Sequence, residues 1–124
     1  MSTYGAGEAT DEGCLFCRIV RGEIPSDAVL STAHTYAFRD IEPAAPVHVL
    51  LVSKRHIAHA GDIESEDGPL LAELIGAAQQ VAVQEGIAER GYRLVFNVGD
   101  DALNSVAHLH LHVLGGRLLG WPPG

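Results

Sequence analysis

Three histidines recur at every second position in His108-Leu109-His110-Leu111-His112. Imidazole can act as nucleophile, proton carrier or metal ligand near neutral pH. In a strand, successive side chains point to opposite faces, so all three rings would share one face, with neighbours about 6.6 to 7 Å apart. Leu109, Leu111 and Val113 would point the other way, into a core. Clustered imidazoles cannot all carry charge cheaply, because like charges depress each other's pKa values. At least one should therefore be neutral and nucleophilic at pH 7. A single histidine would read as an ordinary core or surface residue; three at strict period two, flanked by core leucines, read as a site.

Two further groups could do chemistry. Cys14 and Cys17 have the spacing that lets two thiolates grip one Zn²⁺, and a tetrahedral site would need two more ligands. In a reducing compartment such a pair reads as metal ligands or a redox pair rather than a structural disulfide. The alternative is two free thiols packed on a short helix. The stretch from Asn97 to Ser105 could present Asn97, Ser105 and backbone N–H groups to a phosphate. Asn and Ser in a loop also serve simply as turn residues. His34 and His59 read as solvent-facing loop residues.

The elements that must hold these groups follow from pattern. Cys14 to Arg21 reads as one helical piece ending at Gly22. Pro25 and Ser26 mark a turn. Ala28 to Ser31 and Thr35 to Ile41 read as strands, with a turn around Ala33-His34. Pro43 and Pro46 enclose a stiff connection. Val47 to Ser53 is mostly apolar on both faces and so reads as a central strand. Ser65 to Glu85 reads as the long helix, with Leu71, Leu74, Ile75, Ala78, Val81 and Ala82 on its buried face and Gly86 as its cap. Tyr92 to Val98 is a strand, Gly99 to Ser105 a loop, and Ala107 to Leu114 the histidine strand, closed by Gly115-Gly116. The last two strands can pair as a hairpin that brings Asn97 near His110. The expectation is an α+β fold: a mostly antiparallel five-stranded sheet with one long and one short helix.

Composition narrows the function. The chain has 124 residues, enough for one domain with a real core, here residues 14–124 after a disordered arm over 1–13. Hydrophobic residues make up 47%, so the chain should fold. No apolar run is long enough to span a membrane. Met1 to Gly13 carries no basic-then-apolar signal pattern, which argues for a cytoplasmic protein. The net charge is −8 with no block of Lys or Arg, which argues against nucleic-acid binding. One small anion could still bind to local histidines and backbone N–H groups.

The chain resembles the histidine triad (HIT) hydrolases and transferases. Their signature is His-x-His-x-His followed by two apolar residues, here His108 to Leu114. The likeness runs over nearly everything from Cys14 to Gly124. It includes Leu15 to Val20, Glu23-Ile24-Pro25, Phe38 to Ile41, Pro46 to Leu50, Lys54 to Ile57 and Leu114 to Arg117. The ending Trp121-Pro122-Pro123-Gly124 is similar to that of the histidine triad nucleotide-binding branch, the purine nucleoside phosphoramidases.

The resemblance implies a HIT-like fold and a concrete chemistry. His110 matches the nucleophile that attacks the α-phosphorus of a nucleoside 5′-phosphoramidate, giving a nucleotidyl-histidine that water hydrolyses to the nucleoside monophosphate. His112 matches the histidine that contacts the phosphate oxygens. Ser105 matches the residue near the phosphate and leaving group, and His48 an upstream histidine of the proton network. Asn97 matches a phosphate-side amide; Asn104 and Val106 belong to the same nucleotide-binding set. Asp40 matches the carboxylate that binds ribose hydroxyls, although it could equally be a strand-end turn residue. Phe16, Ile19, Ile24, Ile41 and Leu50 match the apolar walls around the base; composition alone reads these five as ordinary core. Some bacterial members pair the two cysteines with the histidines that here are His56 and His108 in a structural zinc site. The resemblance also implies a homodimer with a tail reaching toward the partner's site; Trp121, apolar on a tail with no evident core, suits an interface anchor.

One departure stands out. The family usually has Gly-Gln-Ser before the triad strand, where this chain has Leu103-Asn104-Ser105. Leucine cannot take positive φ without strain, so the phosphate loop could sit differently. Two alternatives to a phosphoramidase remain from the sequence. One is a hydrolase of dinucleoside polyphosphates, against which the Trp-Pro-Pro-Gly ending argues. The other is a nucleotide-binding or interaction module with weak activity.

Overall fold

The computed structural model describes residues 13–124. The arm expected over residues 1–13 lies, Gly13 excepted, outside the described residues. The elements are α1 (Leu15–Val20), β1 (Ala28–Ser31), β2 (Thr35–Arg39), β3 (Val47–Ser53), α2 (Gly68–Gln84), β4 (Tyr92–Val95) and β5 (His110–Gly115). The five strands form one sheet in the order β1-β2-β3-β5-β4. Every pairing is antiparallel.

Strand β3 sits at the centre, and its alternation splits the interior in two. Val49 and Leu51 join Leu70, Leu74, Ala77, Ala78, Val81, Ile87, Leu109, Leu111 and Val113 in a core under α2. Leu50 and Val52 join Phe16, Cys17, Ile19 and Phe38 on the other side, under α1. Central placement thus explains why β3 is apolar on both faces.

Helix α2 begins later than its periodicity suggests. Ser65–Asp67 is a 3-10 turn, closed by a capping box in which the Asp67 carboxylate accepts from the Glu64 N–H. The α-helix then starts with Pro69 in its first turn, where a missing N–H costs nothing. It ends in a Schellman motif: Gly86 takes φ +75°, and Ile87 N–H reaches Ala82 O at 2.9 Å. The buried face is Leu70, Leu74, Ala77, Ala78, Val81 and Ala82. It is rotated slightly from the expected one. Ile75 is exposed and Leu71 only half-buried, because the helix turns Leu70 and Ala77 into the core in their place.

Three strand ends also differ from expectation. β2 stops at Arg39 rather than Ile41, because Asp40 Oδ1 accepts from Glu42 N–H and turns the chain. β4 stops at Val95 rather than Val98, since its last partner is His112. β5 starts at His110 rather than Ala107, because Leu109 N–H turns to Ile57 O at 2.6 Å. The loop expected over Gly99 to Ser105 contains a 3-10 turn, Asp100–Ala102.

His34 and His59 are not free solvent-facing residues. His34 pairs with Glu73 at 2.8 Å, tying the β1–β2 turn to α2. His59 caps the turn Ala60–Asp62 by accepting from Gly61 N–H. Among the described residues, no helix is long and apolar enough to cross a membrane.

Candidate active site

The ladder register collects the site. β3 pairs β5 with His48 opposite Leu114, Leu50 opposite His112 and Val52 opposite His110. Directly opposed residues point to the same face. His48, His110 and His112 therefore rise from one side of the sheet, while Leu109, Leu111 and Val113 enter the core beneath α2. The rings of His110 and His112 lie 5.1 Å apart. His108 precedes the strand but stays close: the Phe16 ring meets both His108 and His110 edge-on, at 5.9 and 5.1 Å.

The bonding pattern determines which nitrogen of each ring carries a proton. His110 Nδ1 lies 2.6 Å from the carbonyl oxygen of His108. A carbonyl only accepts, so Nδ1 donates, and neutral His110 carries its lone pair on Nε2. At His48, Nδ1 accepts from the Ala44 N–H at 3.0 Å. Its Nε2–H then donates to His112 Nδ1 at 2.9 Å. Neutral His112 must therefore carry its proton on Nε2. That nitrogen is buried and has no partner among the described residues. A lone pair on one ring and an unpartnered N–H on the next thus stand side by side.

Electrostatics keep these rings neutral. Burial, then repulsion from His110 and His48, outweighs the attraction of Asp40 and lowers the His112 pKa to about 4. Burial also lowers the His110 pKa, against the opposing pull of the His108 carbonyl and Asp40. His48 is lowered in the same way, with Asp40 opposing. Asp40 Oδ2 lies 3.4 Å from His48 Nε2, so this carboxylate borders the proton network.

The remaining expected residues divide. Phe16, Ile19 and Leu50 are buried in the smaller core, and Ile24 and Val106 pack against it. Ile41 does not join them: it is 96% exposed on the turn after β2. Asn97 is half-buried, two residues past the last β4–β5 pair. Ser105 is exposed. Asn104 Oδ1 is buried without a partner among the described residues. Leu103 takes φ +62° in the left-handed region, the conformation that glycine would adopt freely, and is 83% exposed. Two contributors escaped the sequence reading. Phe38 packs on Phe16 at 5.6 Å, and the Ala44 N–H sets the His48 tautomer. The alternation Tyr36-Ala37-Phe38 was the available signal for the first.

A second cluster lies behind the triad. Cys14, Cys17, His56 and His108 each turn one ligand atom inward, all within 4.8 Å of one another. Cys14 Sγ to His108 Nδ1 is 3.2 Å, Cys17 Sγ to His56 Nδ1 is 3.3 Å, and the two Nδ1 atoms are 3.3 Å apart. A tetrahedral Zn²⁺ with ordinary bond lengths has ligand–ligand edges of about 3.3–3.8 Å, so the set fits the metal closely. His108 Nε2 donates to Ser53 O at 2.6 Å, which leaves Nδ1 as a lone-pair donor facing the cluster.

Sheet, triad and register define a class. The HIT domain family model matches residues 21–119, and the chain belongs to that family. It is 44% identical to the purine nucleoside phosphoramidase of Escherichia coli K12 over 109 residues, covering 88% of this chain and 92% of that protein. An uncharacterized HIT-like protein of Synechococcus elongatus is 45% identical, covering 91% of this chain and 98% of that protein. Among solved structures, a HIT family hydrolase from Legionella pneumophila superposes with a TM-score of 0.88 at 49% identity, covering 90% of this chain and all of that one.

Proposed function

We propose that this protein hydrolyses the P–N bond of purine nucleoside 5′-phosphoramidates. The carrying observation is the paired tautomers: the His110 Nε2 lone pair beside the His112 Nε2–H. The first suits in-line attack on the α-phosphorus, and the second suits a phosphate oxygen that gains charge. As the Nε2–P bond forms, the P–N bond breaks and its electron pair leaves with the amine. The Ser105 hydroxyl relays the proton that the amine takes up, and the water that attacks in the second step returns one to it. The phosphorylated ring is a cation, and the His108 carbonyl at Nδ1 stabilises it. Water then attacks the same phosphorus, releasing a purine monophosphate and restoring His110. Asp40, Asn97, Asn104 and the apolar set Phe16, Ile19, Ile24, Leu50 and Val106 hold the nucleotide, with Ile41 on the exposed turn closing over the nucleoside.

The same reading includes structural Zn²⁺ on Cys14, Cys17, His56 and His108. When bound, the metal would neutralise the thiolates and tie α1 to the triad segment. It also includes a homodimer. The outermost strand β4 offers a ladder edge with no further strand beside it among the described residues, and Trp121 is 80% exposed on the adjoining tail.

Incubation with adenosine 5′-phosphoramidate should yield AMP and, after rapid quenching, an adenylylated peptide containing His110. Undiminished turnover by His110→Ala would overturn the reading. A second reading, a nucleotide-binding module with weak turnover, draws on the strained Leu103 beside the phosphate loop. Tight AMP binding without turnover of any phosphoramidate would select it.

A further inference from the structure

We infer that the Cys14/Cys17/His56/His108 cluster is a positioning device for His110 and does more than hold the fold. The inference rests on the reading of His110 as nucleophile and of the cluster as a zinc site.

Two short routes connect the cluster to the nucleophile. The first runs through one residue. The His108 ring is fixed at both nitrogens, by Ser53 O at Nε2 and by the cluster at Nδ1. The carbonyl of the same residue accepts the His110 Nδ1–H at 2.6 Å. His108 lies outside the β3–β5 ladder, which begins at His110. The nearest cross-strand bond, from Ser53 N–H to Leu109 O at 3.4 Å, is made by the next residue's carbonyl. The direction of the His108 carbonyl depends on the His108 and Leu109 N–H bonds, to Val106 O and Ile57 O, and on the anchored ring. Reseating the ring would swing the peptide and release His110 Nδ1.

The second route runs through α1. Phe16 lies between Cys14 and Cys17 in sequence, and its ring packs edge-on against His110 at 5.1 Å. A six-residue helix is far too short to be stable alone, so contacts made by its side chains must hold it. Cys14 is its N-cap, and Cys17 is fully buried within it. Loss of the cluster's grip would loosen the wall that fixes the His110 ring plane. Both routes act on the ring's tautomer and orientation, and the second also moves Phe16 and Ile19, which the proposed function sets against the nucleotide. The expected signature is a loss of the single His110 tautomer together with a fall in kcat; KM rises as far as the α1 wall loosens.

The test uses the full chain with ¹⁵N-labelled histidine, stripped by a chelator and reloaded with Zn²⁺ alone. In the reloaded protein, ring ¹⁵N shifts should show His110 as a single Nδ1–H tautomer. The stripped protein and Cys14→Ser should show mixed tautomers at His110, with kcat lower by about tenfold or more. Cys14→Ser puts a hydroxyl oxygen where the capping sulfur accepts from the Cys17 N–H, so the helix keeps a cap and this variant serves if His56→Ala fails to fold. A lower melting temperature with an unchanged His110 spectrum and kcat would mean a purely structural site and overturn the inference. So would failure of the wild-type chain to bind Zn²⁺. The tautomer readout needs no turnover, so wild-type activity in His110→Ala would separately sink the nucleophile reading.

Discussion

His48 Nε2 lies 2.9 Å from His112 Nδ1, and this bond places the proton of neutral His112 on Nε2. His48 is itself oriented by a backbone N–H from Ala44, four residues earlier. Replacing His48 with Phe removes the donor while keeping a ring of similar breadth. His112 could then flip its proton to Nδ1 and present a lone pair to a phosphate oxygen. Losing a hydrogen bond of this kind costs about 1.5–3 kcal/mol in the transition state, or about ten- to a hundredfold in kcat/KM. Steady-state kinetics on adenosine phosphoramidate, with His110→Ala as the zero, should show that drop.

His112 also sets an acid limit on stability. Its pKa in the folded protein is about 4, against an ordinary value of 6.5. A depressed histidine pKa means that the unfolded chain binds the proton first. Its neutrality therefore costs nothing above pH 6.5, and stability falls as pH drops from 6.5 towards 4. Because solvent screens this part-exposed ring, the loss from this group should be on the order of 1–2 kcal/mol at the lower end. Denaturant melts of wild type and His112→Asn between pH 7 and pH 4 should converge as the pH falls, and parallel curves would refute the assignment.

Glu73 should matter on the other side of the sheet. Its carboxylate accepts from Thr32 Oγ1, His34 N–H and His34 Nδ1. Burial raises its pKa, but these bonds together outweigh that and lower it. The stabilisation is thus present above the unfolded carboxylate pKa and lost as pH falls through the folded one. Glu73→Ala should cost about 1–3 kcal/mol at pH 7 by chemical denaturation, with the deficit shrinking in acid.

Leu103 should be replaceable at a profit in stability. It occupies the left-handed region while almost fully exposed. Leu103→Gly removes a penalty of about 1 kcal/mol and forfeits little burial. A melting temperature raised by a few degrees would support this, and a lowered one would show that the side chain has a partner.

The tail should influence substrate choice. Arg93 Nη2 donates to Gly120 O at 2.8 Å, and its guanidinium lies 5.9 Å from the Trp121 ring. Arg93 is opposite Leu114, on the face that carries His112. Deleting Leu118 to Gly124 should shift the ratio of kcat/KM between phosphoramidates with large and small amines. An unchanged ratio would count against the tail's role.

What the sequence disclosed followed from periodicity. Strand alternation placed His110 and His112 on one face and Leu111 and Val113 on the other, as the register confirms. Period alone could not show that His108 leaves the strand, because the cause is the distant Ile57 carbonyl. The Asp40–His48 and Ala44–His48 contacts come from a turn after β2, where geometry rather than residue type decides. His34 read as a solvent residue because Glu73 lies 39 positions away. The exposure of Ile41 was equally hidden, since an isoleucine after a strand pattern reads as part of that strand.

The division of the interior by β3 gives the molecule two sides of unequal durability. One is clamped by a 17-residue helix with six buried side chains, the other by a helix of six residues. Local opening starts where buried apolar contacts are fewest. On warming, amides of α1 should exchange with solvent well before those of α2, while the sheet still holds. The protein would then lose its chemistry before its shape, and intact secondary structure would be a poor guide to whether a sample still works.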